Sequence, residues 1–295
     1  MAAHRTRPTH SSPAARAASP RWLGTYVVLA LAFSWAWWIP MAVTGQVSRA
    51  GQGWPTHLIG LTGPALAAIV VTALADGGPG LAGLWRRAVR LRVQARWWVL
   101  VGATLALSGL GFVVGRLDGT PVPLGDLTLY SGAPAAQGLT LLLVACYLLV
   151  VNGYGEELGW RGFLAHHLLP RFGRLGTATL VWVAWALWHA PLFLVVQNFR
   201  DFGPAGTVGW LVGLWFGSYF LTWLYESAGY SVLVVAAWHV AYNIDTATEA
   251  TAGLTAAVVS TLVMAAVVLL LVRAAVVRHA GSRAHGAPAS SKEET

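Results

Sequence analysis

Residues 250–272 read ATAGLTAAVVSTLVMAAVVLLLV and contain no charged side chain. About 20 such residues form an α-helix long enough to cross the ~30 Å hydrocarbon core of a bilayer. Seven further stretches of at least 18 residues are also free of charge: 22–48, 50–75, 97–115, 127–155, 175–199, 202–225 and 227–244. The alternating decamers of a membrane β-barrel are absent. The sequence therefore predicts an all-α, polytopic membrane protein with about eight transmembrane helices.

The overall composition agrees with this fold class. Hydrophobic residues make up 56% of the chain and charged residues only 10%, against roughly 25% in an average soluble domain. The predicted organisation has three parts: a disordered N-terminal tail at 1–20, an eight-helix domain at 21–278 and a disordered C-terminal tail at 279–295. Neither tail has a periodic apolar face that could be buried in a core.

The net charge of +8 is explained by where the basic side chains lie along the chain. If the N-terminus is cytoplasmic, 16 of the 19 Lys and Arg residues, Arg161 among them, fall in cytoplasmic segments; Arg49, Arg116 and Arg200 fall outside. This bias predicts an N-in, C-in protein of the cytoplasmic membrane, and it accounts for the charge without a nucleic-acid partner. The lone Cys146 excludes an intramolecular disulfide.

The segment LAGLWRRAVRLRVQAR, residues 81–96, lies between the second and third predicted spans. Its apolar residues recur at helical spacing, with arginines on the other side. Two interpretations fit equally well: a helix on the cytoplasmic surface with its arginines among anionic headgroups, or an ordinary positive-inside loop.

A few ionisable or strongly polar residues fall at membrane depth, all in the second half of the chain. They are Glu156, Glu157, Arg161, His189, His239 and Asn243. Burying a charged side chain there costs at least ~2.5 kcal/mol on insertion scales, so each is a candidate functional residue. One structural alternative is that both glutamates meet Arg161 and water at the interface. The histidines could likewise be hydrogen-bonded core residues.

Spacing suggests how these residues are arranged. Glu156 and Glu157 stand at the predicted cytoplasmic end of the fourth span. On a helix, Glu157 and Arg161 are four residues apart and can form an ion pair, which leaves Glu156 free for chemistry. His239 and Asn243 are also four apart, so one face of the seventh span presents both.

At these residues the chain resembles the CAAX protease and bacteriocin-processing (CPBP, or Abi) family of intramembrane proteases, which is related to the type II CAAX prenyl endopeptidase. The family pattern is Glu-Glu-x-x-x-Arg, Phe-x-x-x-His and His-x-x-x-Asn or Asp. This chain has Glu156-Glu157-x-x-x-Arg161, Trp185-x-x-x-His189 and His239-x-x-x-Asn243 in the same order, within a motif core of about 150–245. Trp185 replaces Phe, a change expected to affect the shape of the pocket rather than its chemistry.

The resemblance implies hydrolysis of a peptide bond in a membrane-associated protein or peptide. In this interpretation Glu156 and His189 hold and deprotonate a water, while His239 and Asn243 donate to the oxyanion. Glu157 and Arg161 support the helix that carries Glu156. No cofactor is required by these roles. A zinc ion held by Glu156, His189 and His239 is the alternative that the family's description as metalloproteases keeps open.

Two other classes of function compete with proteolysis. A non-proteolytic membrane scaffold or immunity protein could retain the same fold, and a secondary transporter could use the same polar residues as a proton path. A transporter favours ionisable groups spread along a route, whereas here they gather in one set. The substrate and the oligomeric state are not encoded in any motif of the sequence.

Overall fold

A computed structural model describes residues 14–49, 56–117, 145–247 and 254–285. Its α-helices are α1 Ala14–Ala17, α2 Pro20–Val43, α3 Gly63–Ala88, α4 Ala95–Leu117, α5 Gly155–Gly159, α6 His166–Trp188, α7 Leu192–Val195, α8 Gln197–Arg200, α9 Gly203–Ser227, α10 Val232–Ala247 and α11 Leu254–His285. A 3₁₀-helix, His57–Thr62, precedes α3, and π-helical stretches, Leu149–Tyr154 and Trp160–Ala165, flank α5. These residues form no β-strand; one isolated parallel bridge joins Ser48 and Val196.

Within the described residues, five helical segments are long and apolar enough to cross a membrane. They are Pro20–Val43, His57–Ala88, Ala145–Val195, Gly203–Ser227 and Thr255–Val277. The prediction of an all-α, multi-pass membrane protein is therefore confirmed. The count of eight spans and the N-in, C-in orientation stay predictions.

Two of these segments contain a kink at a glycine. Gly173 has φ 60° and ψ −176° inside α6, and Gly77 has φ 63° and ψ −151° inside α3. A straight helix would separate residues 156 and 185 by about 44 Å. The Trp185 indole instead donates to the Glu156 carboxylate at 2.8 Å, so the chain folds back at Gly173 into a helical hairpin. Glycine adopts this positive φ without the steric penalty that a Cβ brings.

This hairpin corrects the predicted end of the fourth span. The sequence places the two glutamates at its cytoplasmic end and Arg161 in the loop that follows. In the structure the helix continues through both glutamates and Arg161 as far as the reversal at Gly173. The reason is electrostatic, because Glu157 and Arg161 neutralise each other inside the bundle and so do not end the helix.

Parts of both predicted tails are helical in the structure, and the division into two tails and one domain stays a prediction. Helix α1 and the start of α2 lie inside the predicted tail 1–20, and α11 extends through residue 285 into the predicted tail 279–295. The other residues of both tails, and residues 127–144 of the fourth predicted span, lie outside the described part of the chain.

The 81–96 segment is packed against the bundle. Helix α3 ends at Ala88, and its last turns bury Leu84 while Trp85 remains 66% exposed. The Arg87 side chain donates to the Gly162 carbonyl at 3.1 Å. The apolar residues of this segment therefore divide between the protein interior and the outer surface.

Candidate active site

Glycines allow the helix that carries the glutamates to lie close to its neighbours. A Cβ added to Gly155 would lie 2.8 Å from the Leu61 carbonyl oxygen, and one on Gly159 would lie 2.5 Å from the Pro64 oxygen. Small residues four apart permit such close approach of membrane helices. The π-helical turns on both sides of α5 interrupt the regular i→i+4 bonding, a feature that recurs at functional sites. Glu156 and Glu157 are therefore buried between closely packed helices.

Glu157 accepts two charge-assisted hydrogen bonds through one oxygen. Its Oε1 accepts from Arg161 Nη1 at 2.9 Å and from His239 Nδ1 at 2.7 Å. Glu157 and Arg161 have no solvent exposure, so they form the ion pair that their spacing predicts, entirely inside the protein. Within the described part of the chain, Glu157 Oε2 and the Arg161 Nε and Nη2 atoms have no hydrogen-bond partner. The Glu157 carboxylate is thus paired with Arg161 inside the protein.

Glu156 belongs to a separate network of uncharged donors. Its Oε1 accepts from Asn152 Nδ2 at 2.9 Å, and its Oε2 accepts from Trp185 Nε1 at 2.8 Å. The side chain is buried, and Arg161 bonds the neighbouring carboxylate instead. Glu156 therefore forms no ion pair with Arg161, as the spacing of the sequence predicts.

Asn152 is a site residue that the sequence analysis missed. Its Oδ1 accepts a hydrogen bond from Asn243 Nδ2 at 2.9 Å, and its Nδ2 donates a hydrogen bond to Glu156 Oε1. Its position four residues before Glu156, in an otherwise apolar run, was the available signal. Asn243 therefore reaches the carboxylate through Asn152.

Trp185 lies at the centre of the site. Besides donating to Glu156, its ring lies 4.7 Å from the Arg161 guanidinium carbon and 5.6 Å, centroid to centroid, from the rings of His189 and His239. The expectation that this residue changes only the shape of the pocket is wrong, because the indole supplies an N–H donor that the Phe of the family pattern lacks.

His189 directly follows the last residue of α6 instead of lying within a continuous span. Its Nδ1 is 2.7 Å from the Trp185 carbonyl oxygen, which can only accept, so Nδ1 carries the proton. In the neutral ring Nε2 is then an acceptor. The rings of Trp188, Phe199 and Trp210 surround it at centroid distances of 4.7, 5.9 and 5.1 Å.

His239 and Asn243 project from one face of α10, as their spacing predicts, but they contact different carboxylate networks. His239 bonds Glu157 and Asn243 bonds Asn152. His239 keeps one ring nitrogen that this hydrogen bond does not use, and Asn243 keeps one amide N–H. The pair thus joins the two networks across the site.

The described residues do not form a metal site. In the ranges 14–49, 56–117, 145–247 and 254–285, no group of three or more His, Cys, Asp and Glu side chains is arranged to hold an ion. Each oxygen of Glu156 accepts one hydrogen bond from the protein, from Asn152 or from Trp185. Binding of a zinc ion by Glu156, His189 and His239 stays a prediction.

Comparison with known proteins gives a family match for part of the chain. Residues 138–245 match the family described as "Type II CAAX prenyl endopeptidase Rce1-like". The resemblance to this protease family is confirmed. The matched residues contain every candidate site residue, including Asn152.

A curated relative gives a similar result over a shorter stretch. The chain is 35% identical over 54 residues to "CAAX prenyl protease 2" of Methanococcus maripaludis. This stretch is 18% of the present chain and 20% of the relative. The chain thus spans about a fifth of the length of that relative.

Proposed function

We propose that this chain is an intramembrane endopeptidase that hydrolyses a peptide bond of a membrane-associated protein or peptide. The observation that carries the proposal is the separation of two adjacent buried carboxylates into different networks. Glu157 takes the cation Arg161, while Glu156 accepts only from neutral donors. A carboxylate that is not paired with a cation keeps the basicity that a general base needs.

In the proposed mechanism Glu156 and His189 hold the attacking water. Each Glu156 oxygen accepts one hydrogen bond from the protein, and an ionised carboxylate oxygen has a second acceptor position that a water can occupy. His189 Nε2, which is the acceptor of the neutral ring, would accept a hydrogen bond from the other O–H of this water. Glu156 removes a proton as the oxygen attacks the scissile carbonyl, and it later returns that proton to the leaving amine.

The oxyanion of the tetrahedral intermediate needs donors on the opposite side of the site. Asn243 has a second amide N–H beyond the one given to Asn152, and His239 has Nε2 beyond the nitrogen bonded to Glu157. When His239 is protonated, Glu157 balances its charge. Loss of one such donor lowers kcat by about 10²–10³ in studied hydrolases.

The substrate class comes from the similarity to CAAX prenyl proteases. We propose a peptide with a prenylated cysteine near its C-terminus, presented from the cytoplasmic membrane. A lipid-anchored peptide diffuses laterally in the membrane, and a site among membrane-spanning helices supports this choice of substrate. A membrane scaffold of the same fold would not need an unpaired Glu156.

The test uses the full chain in liposomes and a fluorogenic peptide that ends in a farnesylated Cys-a-a-X sequence. Glu156→Gln should lower hydrolysis by at least about 10²-fold, the contribution of a general base. Glu226→Gln is the matched control, since Glu226 forms a partly exposed ion pair with Arg174. We expect its rate to remain that of the wild type.

Three results would contradict parts of the proposal. Hydrolysis by Glu156→Gln at the wild-type rate would remove the proposed base. Equal cleavage of the same peptide without its farnesyl group would remove the prenyl specificity. A metal chelator that abolishes hydrolysis, with recovery on adding Zn²⁺, would replace the glutamate mechanism by a metal-dependent one.

A further inference from the structure

We propose that Trp185 is a positioning residue for Glu156, and that it acts through its indole N–H rather than through its bulk. This inference rests on the proposed role of Glu156 as the base. It concerns a feature of this chain that the Phe of the family pattern does not share.

The indole fixes the orientation of the Glu156 carboxylate. Trp185 Nε1 donates to Oε2 at 2.8 Å, while Asn152 donates to Oε1 at 2.9 Å. One donor leaves a carboxylate free to rotate about its last bond, whereas two donors on different oxygens fix its plane. A fixed plane directs the remaining lone pairs, and a misdirected base loses rate even when it still binds water.

The two donors come from opposite arms of the helical hairpin. Asn152 precedes Glu156 on the first arm, and Trp185 lies on the second arm beyond Gly173. The two hydrogen bonds of the Glu156 carboxylate therefore depend on how the two arms are packed together. Rotation of either arm would break one of the two bonds.

The ring face has a second effect, on Arg161. The guanidinium carbon lies 4.7 Å from the centre of the indole, and two of its nitrogens have no hydrogen-bond partner within the described residues. A cation stacked on an aromatic face is stabilised without a carboxylate. Trp185 therefore stabilises Arg161 in its position beside Glu157, so that Glu156 accepts hydrogen bonds only from Asn152 and Trp185.

A Phe at this position could supply the stacking but not the hydrogen bond. Phe has a ring face and no donor, so Trp185→Phe would leave Glu156 with Asn152 alone. The expected result is a fall in kcat of about 10- to 100-fold with KM changed less than about twofold. A residue that only shaped the peptide pocket would change KM instead.

The experiment compares three variants of the full chain in liposomes with the farnesylated fluorogenic peptide. They are Trp185→Phe, a chain with the sulfur isostere 3-benzothienylalanine at position 185, and the control Trp238→Phe. The isostere keeps the shape of indole and lacks the N–H, so it remains informative even when Phe disturbs the packing. Trp238 is a matched control because it is buried and its Nε1 has no partner within the described residues.

We expect both changes at position 185 to lower kcat and Trp238→Phe to leave it unchanged. Full kcat in the isostere chain would overturn the inference. An equal loss in Trp238→Phe would do so too, since it would assign the effect to lost packing. Glu156→Gln is measured in the same assay so that the two proposals can be distinguished. The activity of Glu156→Gln tests whether Glu156 is the base, and the activity of the isostere chain tests only whether Trp185 positions it.

A spectroscopic measurement tests the hydrogen bond without any substrate. In a chain labelled with ¹⁵N-tryptophan, the indole N–H signal that disappears in Trp185→Phe belongs to Trp185. We expect Glu156→Ala to move this signal upfield, as loss of a strong acceptor does, and to leave the Trp238 signal in place. A Trp185 signal that is the same with and without Glu156 would refute the bond.

Discussion

Replacing Arg161 by Met should destabilise the protein far more than the same change at an exposed ion pair. Arg161 and Glu157 are both fully buried at 2.9 Å. Met keeps much of the volume but leaves Glu157 with His239 as its remaining donor. Removing one partner of a buried pair costs about 3–5 kcal/mol, because the other charge stays in a medium of low dielectric constant.

The Arg174–Glu226 pair provides the control. Its atoms are even closer, at 2.6 Å, but the two side chains are 33% and 26% exposed. Water and salt screen such a pair, and its contribution is about 0–1 kcal/mol. Arg174→Met should therefore change the free energy of unfolding by less than about 1 kcal/mol.

Unfolding of the purified protein in mixed micelles, induced by SDS and followed by far-ultraviolet circular dichroism, measures both effects. The double change Glu157→Gln with Arg161→Met should recover part of the stability, because it removes the stranded charge as well. If Arg161→Met and Arg174→Met cost the same, the buried pair does not hold the bundle together, and the account given for the continuous helix around Glu157 fails.

Three further changes test other parts of the structure. Gly159→Ala should cost roughly 1–3 kcal/mol in the same unfolding assay, since its Cβ would lie 2.5 Å from the Pro64 oxygen, whereas Gly102→Ala, with nothing within 4 Å, should be neutral. Asn243→Ala should lower kcat by about 10²–10³ with little change in KM, and Asn243→Asp should fall between it and the wild type; a rise in KM alone would make Asn243 a substrate-binding residue. In a Cys146→Ser chain, cysteines introduced at positions 90 and 290 should react with a membrane-impermeant reagent from the cytoplasmic side, and labelling only from outside would reverse the topology.

Much of the site could be predicted because residues four apart on a helix lie on the same face. The Glu157–Arg161 pair and the common face of His239 and Asn243 both follow from that spacing. The clustering of six polar residues in an apolar chain also identified the part of the fold that contains the candidate site. Those inferences needed no knowledge of which helices are neighbours.

The remaining features depend on packing between distant segments, which spacing does not reveal. The sequence does not show that His239 bonds Glu157, or that Trp185 reaches Glu156 across a reversal at Gly173. The end of the fourth span was misplaced for a related reason: a count of charges treats Glu157 and Arg161 as two charges, whereas the folded chain contains one neutral pair. Asn152 was overlooked because it belongs to none of the three motifs that singled out the other residues, Asn243 included.

The hairpin around Gly173 has a consequence for biosynthesis. Both hydrogen-bond donors of Glu156, the cation that neutralises Glu157, and His189 all come from the continuous stretch 145–189. This stretch can leave the translocon as one unit with its charges already paired, which avoids much of the insertion penalty of separate ionised groups. Only His239 and Asn243 arrive with a later segment. A chain interrupted before residue 232 would thus contain the proposed base but lack the proposed donors for the oxyanion, so we expect hydrolysis to begin only when synthesis of the bundle is almost complete.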